Sequence, residues 1–255
     1  MYTEEELSRL KNEEEELTEE ELVALLAVLH ITLSELEKAI RLFYQKYGKD
    51  GVITYNEVKK WVSSTNHTKR LAVLNHTISE IFDAGFRDFE KLFTSHLHDI
   101  VAKEAQFFGV DVDVAEILDT VWGVDDSTWL QRLTAHKQRW TIQIANDLKV
   151  SFLRQDEIID VLEDAATRGK SMETILKRLW RTESNAVSSI TRGRIYETLG
   201  VKKYRFLHLD GCHCEVCTNM HGQVFPISEY IVGVTANPLH PNCGDVTEPI
   251  IEKLG

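Results

Sequence analysis

The chain has 255 residues, 43% of them hydrophobic and 27% charged, which is material for one large folded domain or two modest ones and excludes a low-complexity polymer. Its net charge of −12 excludes a protein that coats nucleic acid with its whole surface, because non-specific affinity comes mainly from neutralising phosphates. The start, Met1-Tyr2-Thr3-Glu4, has no basic segment leading into an apolar one, and the best apolar run, Leu22 to Ile31, is about half the length that spans a bilayer, so no membrane partner is expected.

From Met1 to Glu21 ten Glu stand against Arg9 and Lys11, and residues 1–17 read as an acidic leader with no fixed structure. Helices then follow one another across 18–170. Thr18-Glu19-Glu20-Glu21 spells a capping box ahead of Leu22, Leu25, Leu26 and Leu29, and Thr32-Leu33-Ser34-Glu35 repeats it ahead of Leu36, Ile40, Phe43 and Tyr47. Thr54 to Glu57 opens a shorter helix through Trp61 and Val62. A long three-and-four apolar pattern predicts a helix from Lys69 to Phe108, with Gly85 as a kink and Gly109 as the stop. Further helices are predicted over Val114–Trp122, Thr128–Val150, Gln155–Thr167 and Ser171–Leu199. No proline precedes Pro226, so nothing interrupts helix before that point.

After Gly200 the character changes. Val201 to Leu209 is aromatic and β-branched enough for a strand, Val224-Phe225 and Val246 to Ile251 suggest two more, and all four prolines lie here. The fold class is therefore mainly α: an elongated multi-helix region, then a small α+β domain over 171–255.

That small domain carries the sharpest chemical signal. Cys214-x-x-Cys217 and His240-x-x-Cys243 are two short clips that together offer the four N/S donors of a closed tetrahedral Zn2+ site, structural in type because no position is left open. Ordinary buried thiols, or disulfides, would account for the same residues without a metal. His208, Cys212, His213 and His221 stand near enough in sequence to compete as ligands. Two other motifs carry less. Lys49 to Glu57 imitates the second half of a calcium loop, but Lys46 and Gly48 fall where carboxylates are required. His213-Cys214-Glu215 matches half of a zinc-deaminase signature, yet its Cys-x-x-Cys overlaps that half.

Charge is uneven. From Arg168 to Arg205 ten Lys and Arg face only Glu173, Glu183 and Glu197. A solvated helix face accounts for such a run, and so does a surface for nucleic acid or an acidic partner, with Arg192, Arg194, Lys202 and Lys203 as its contacts.

In order, Arg181-Thr182-Glu183, Tyr196, Gly200-Val201, Asp210, Cys214-x-x-Cys217, Gly222-Gln223-Val224-Phe225 and His240-Pro241-Asn242-Cys243 resemble the Mu F-like minor head proteins of tailed bacteriophages, also called phage head morphogenesis proteins. The resemblance covers roughly residues 171–251. It implies a non-enzymatic virion component of low copy number inside the head near the portal vertex, made in the host cytoplasm. Its implied partners are the portal protein, scaffold or major capsid protein, and packaged DNA, in whose ejection it takes part. Cys214, Cys217, His240 and Cys243 fall on the family's metal-type positions, and Arg181, Glu183 and Asp210 on positions of buried polar support. Cys212-His213 and Gly244-Asp245 depart from the family, which often has Arg and Thr before the first Cys and Arg-Cys after His-Pro-x-Cys. Two other classes remain open: a zinc-dependent hydrolase or nuclease using Asp210, Glu215 or Asp245, and a nucleic-acid-binding module built on 168–205.

Overall fold

A capping box starts the first helix, α1 (Glu4–Tyr47). The Glu6 N–H donates to the Thr3 hydroxyl at 3.2 Å and the Thr3 N–H donates to the Glu6 carboxylate at 2.8 Å, so two groups left over by the first turn are satisfied. The expectation of a loose leader is thereby corrected from Glu4 onward: it is helix, and Leu7 and Leu10 on it are buried. The same T-x-x-E spelling at Thr18 and Thr32 opens nothing. Both threonines donate their hydroxyls back one turn, to the Glu14 and Val28 carbonyls at 2.7 and 2.8 Å, and α1 runs through them.

The computed structural model describes residues 3–54, 56–57, 65–209 and 214–251, with 65–69 described by backbone alone. The helix expected through Trp61 and Val62 lies outside the described residues. The remaining elements are α2 (Thr65–Phe108), α3 (Val114–Leu118), α4 (Trp129–Arg154), α5 (Ile158–Thr198), β1 (Lys203–Leu207), α6 (Glu215–Met220), β2 (Val224–Pro226) and β3 (Val246–Ile250). The chain is thus mainly helical, with a small sheet near its end. Gly109, at φ 65°, closes α2, and the Val110 N–H reaches back to the Ala105 carbonyl at 3.0 Å. Asp113 caps α3 through the Glu116 N–H at 3.1 Å, and Thr128 with Gln131 forms the capping box of α4. The two helices expected over 155–199 are one. Gly169, read as a gap between them, sits inside α5, where a Cβ would come 2.8 Å from the Leu33 side chain. No helix of the described residues is long and apolar enough to cross a membrane.

Contacts divide the chain into two units that cut across the boundaries expected from sequence. The first comprises 1–23, 92–132 and 177–255, the second 24–91 and 133–176. In the first unit Trp180 lies at the centre, with Phe93 edge-on at 4.6 Å and His96 stacked at 4.2 Å. A further apolar cluster gathers Leu7, Phe108, Ile195, Tyr196, Tyr204 and Val246, so the sheet shares its core with α1, α2 and α5. The strands are antiparallel in the order β2-β1-β3, with Tyr204 opposite both Phe225 and Pro249. The Tyr196 hydroxyl donates to the Thr247 carbonyl at 2.7 Å. Buried charge accompanies this core. Arg192 has no exposed surface and pairs with Glu104 at 2.6 Å and Glu14 at 3.8 Å.

The second unit is held by aromatic contacts, Phe43 stacking on Phe152 at 5.4 Å and Phe86 meeting Trp140 at 5.7 Å. The turn at Asp50-Gly51 carries φ of 53° and 79°, and the Gly51 carbonyl accepts from the Ile158 N–H at 2.9 Å. Glu57, at the last calcium-type position of that turn, pairs with Arg70 at 3.1 Å.

Gly85 is not a kink: a Cβ there would lie 2.2 Å from the Thr32 hydroxyl oxygen inside this unit. Gly85→Ala is therefore expected to lose about 1–3 kcal/mol by overpacking, although alanine is the better helix former. Urea melts of Gly85→Ala and of Gly85→Ala with Thr32→Ala check this, the second substitution restoring most of the loss.

Candidate metal centre

The two clips meet inside the first unit. Cys214 is the N-cap of α6 and Cys217 lies in its first turn, because the Cys214 carbonyl accepts from the Thr218 N–H at 2.9 Å and the short helix brings both thiols to one end. The second clip is a knuckle. Its Cys243 N–H donates to the His240 carbonyl at 3.2 Å, and Asn242 takes a left-handed φ of 60°, which asparagine tolerates. α5 moors this knuckle. The Asn185 side-chain amide donates to the Cys243 carbonyl, and the Asn242 N–H donates to the Thr182 hydroxyl at 3.3 Å.

Around Cys217 the donors converge. Its Sγ is 3.1 Å from His240 Nε2 and 3.8 Å from Cys243 Sγ. Cys214, Cys217 and His240 form one group with ligand atoms within 4.8 Å of one another, and Cys217, Cys243 and Asp245 form another. Tetrahedral thiolates about 2.3 Å from a zinc-sized ion stand roughly 3.8 Å apart, the separation found between Cys217 and Cys243. The imidazole is oriented for the same purpose: His240 Nδ1–H donates to the Pro241 carbonyl at 2.9 Å, which leaves the Nε2 lone pair facing the thiols. The four residues singled out from sequence can therefore hold a metal ion.

Electrostatics point the same way. Burial pushes the Cys217 thiol far up, with the Asp245 carboxylate and Cys243 adding to it, and burial beside Asp245 raises Cys243 to about 12. Such thiols ionise only against a cation. Asp245 is the residue that sequence reasoning placed elsewhere, as a base for an enzyme. It is fully buried and accepts from His208 Nδ1–H at 2.9 Å, from the Leu209 N–H at 3.3 Å and from the Cys243 thiol at 3.2 Å. The signal was its spacing, two residues after Cys243. His208 and His221 are not among the converging donors; the His208 N–H donates to His221 Nδ1 at 3.1 Å. Asp210, Cys212 and His213 lie outside the described residues.

The other predicted positions divide. Glu183 is buried as expected and accepts from Arg132 at 2.5 and 3.0 Å and from the Trp122 indole N–H at 3.0 Å. Arg181 is not buried: it forms a partly exposed pair with Glu19 at 2.5 Å, a type of contact worth little in water. Arg192 is corrected outright, since a guanidinium with no exposed surface cannot touch nucleic acid. Arg194 is exposed but shared between Glu116 at 2.9 Å and Glu197 at 3.3 Å. Lys202 and Lys203 are exposed, with no ion pair among the described residues. Helix periodicity places a charge on a face but does not say which face is covered.

One further constellation escaped the sequence. Glu21, His96 and Ser184 line up, His96 Nδ1 lying 2.6 Å from the Glu21 carboxylate and Nε2 lying 2.7 Å from Ser184 Oγ. Ser184 also donates to the Trp180 carbonyl at 2.8 Å and sits within α5, where neighbouring N–H groups are spent on the helix. The spacing is that of a nucleophile relay. No protein-family model, characterised protein or solved structure matches this chain, so the site's purpose is argued from its own chemistry.

Burial under Trp180 lowers His96 to about 4, against the pull of nearby Glu21. An unfolded His titrates near 6.5, so the unfolded chain takes up the proton first and stability falls as pH drops from about 6.5 to about 4. The integrated loss is up to about 3 kcal/mol. Thermal melts across this window should show a shallower acid slope in His96→Gln than in the wild type; parallel slopes would mean that His96 is not held neutral.

Proposed function

We propose that this chain is a portal-associated minor head protein of a tailed bacteriophage, with a structural zinc in its C-terminal segment and no catalytic activity of its own. The observation that carries this reading is that the scattered pieces of the C-terminal motif string lean on one another within a single unit. Thr182 and Asn185, in and beside Arg181-Thr182-Glu183, hold the His240–Cys243 knuckle. Tyr196 binds the backbone of β3 at 2.7 Å, and Tyr204, four residues past Gly200, stacks on Phe225 of Gly222-Gln223-Val224-Phe225 at 5.6 Å. Motif positions brought together in one unit are what a single conserved module would require, and that supports the resemblance.

Zinc suits three thiols and an imidazole better than harder ions do. Bound by Cys214, Cys217, His240 and Cys243, it would supply a cross-link and no Lewis-acid position. The Cys pair and the knuckle then staple a loop-rich segment whose own core is small. The absence of catalysis is supported by the same closed donor set.

In the assembled head the chain lies inside, near the portal vertex, beside scaffold or major capsid protein during assembly. Contact with packaged DNA is weak and salt-sensitive, since of the four cations first assigned to it Arg192 is buried and Arg194 is paired.

Two measurements test the reading. Elemental analysis of the full-length protein purified without chelator should give one zinc per chain, and Cys217→Ser should lose it and melt at lower temperature; a stably folded wild type without zinc overturns the metal assignment. Tagged full-length chain, co-expressed with a portal subunit from the same genome, should bring that subunit down. Failure of that capture, together with virions that lack the chain, overturns the head-protein reading.

A further inference from the structure

We infer that a groove on the first unit, between loop 120–126 and loop 230–234, is a docking site for an apolar segment flanked by lysine or arginine on the portal subunit. The identity of the partner rests on the proposed function; the surface itself rests on geometry.

Val121, Ile231 and Val234 are each half or more exposed, and Val124 is fully exposed. They line one cavity of about 420 Å³ whose floor is Ile190 and Gly193 of α5 and the ring of Tyr230. Single apolar residues at a surface are ordinary, but four branched aliphatics converging on one concavity form a patch of the kind that marks an interface.

These side chains are held out in water by turns with their own hydrogen bonds. In the first loop the Trp122 N–H donates to the Ser127 carbonyl at 3.2 Å. Arg132 donates to the carbonyls of Trp122 and Ser127 at 3.2 and 2.8 Å and lies 4.3 Å over the Trp122 ring. Glu183 fixes Arg132 and the indole in turn, which gives that buried carboxylate a role in shaping the groove. In the second loop the Gly233 N–H donates to the Ala236 carbonyl at 2.9 Å and the Val234 N–H to the Ile231 carbonyl at 3.0 Å. Gly123 and Gly233, at φ of 78° and 89°, let the two turns come together: a Cβ on Gly233 would lie 3.7 Å from the Gly123 Cα. Aliphatic tips on preformed turns lose little freedom when a partner covers them.

Charge selects the partner. The one cation among the described residues lining the groove is Arg194, and Glu116 and Glu197 already hold it, at 2.9 and 3.3 Å. Asp126 is exposed at the rim with no ion pair among the described residues. Two carboxylates, Asp126 and Glu197, line the groove against that one guanidinium, whose charge Glu116 also offsets from outside it; this balance repels DNA and anionic lipid and favours a protein segment bearing Lys or Arg beside its apolar side chains.

The test uses full-length chain and full-length portal subunit. Val124→Asp with Val234→Asp should weaken capture of the portal by about tenfold or more, with zinc content and melting temperature unchanged. Asp126→Lys should weaken it less and reduce its sensitivity to salt. A photo-reactive residue at Val124 should cross-link to a portal peptide carrying apolar and basic side chains. If the double variant melts early, Val124→Asp alone, at a side chain fully in solvent, carries the test. Wild type that captures the portal while both Val124 variants capture it equally, or a cross-link to an acidic peptide, overturns the groove and leaves the proposed function standing. Wild type that captures no portal overturns both.

Discussion

A guanidinium with no access to water dictates much of the first unit. Burying an unpaired charge is prohibitive, so Arg192 on α5 requires a counter-charge from another helix, and it finds one in Glu104 of α2, 2.6 Å away, with the Glu14 carboxyl of α1 at 3.8 Å completing the cluster. Ser188 donates to the Glu104 carboxylate at 2.6 Å, and its Oγ lies 3.1 Å from the Glu14 carboxyl. Burial and the nearby Glu104 carboxylate push Glu14 up to about 8, so near neutrality it keeps its proton and the cluster is not overloaded with negative charge. Lys11 continues the network to Asn185 at 3.1 Å, and Asn185 reaches the carbonyl of Cys243. Apolar packing alone would let these helices slide by a turn at modest cost. Charge partners at fixed positions do not, and losing one of them leaves an uncompensated ion worth about 3–5 kcal/mol.

Much of this was legible in the amino acids. Apolar spacing gave the long helices, the change after Gly200 gave the strands, and two short clips gave the metal donors. What misled was local grammar taken without its surroundings. Thr18 and Thr32 carry the letters of a helix start, yet hydroxyls that bond back one turn are compatible with a helix that simply continues. Gly85 read as a kink and Gly169 fell between two expected helices, and both are places where another side chain comes too near for a Cβ. The acidic leader looked unfoldable by charge, but Leu7, Leu10 and Lys11 recur on one face and that face is covered. Arg192 was unreadable in principle: nothing in its neighbourhood in sequence says that Glu14 and Glu104 converge on it.

The metal centre shows the same division between pattern and placement. Cys-x-x-Cys and His-x-x-Cys identify themselves by spacing, because ligand clips are local. Their supports are not local. Asn185, Thr182 and Asp245 shape the knuckle by reaching the backbone or a thiol, and only the fold brings them there. Asp245 departs from the family pattern that the chain resembles, yet it is fully engaged with His208, Leu209 and Cys243, so the departure has been absorbed into the surroundings of the site.

The path of the chain has a consequence for how the protein is made. The first unit is visited three times, by 1–23, 92–132 and 177–255. Its first helical turns hold Leu7 and Glu14, whose partners Val246 and Arg192 emerge from the ribosome long after them. The start of α1 must therefore wait while the two pieces of the second unit, 24–91 and 133–176, are completed behind it. A chain broken off before Cys243 can neither close its oldest core nor present a full set of metal donors. Completion of the first unit is thus a record that translation has passed Val246, and an assembly that recruits this unit recruits chains made at least that far.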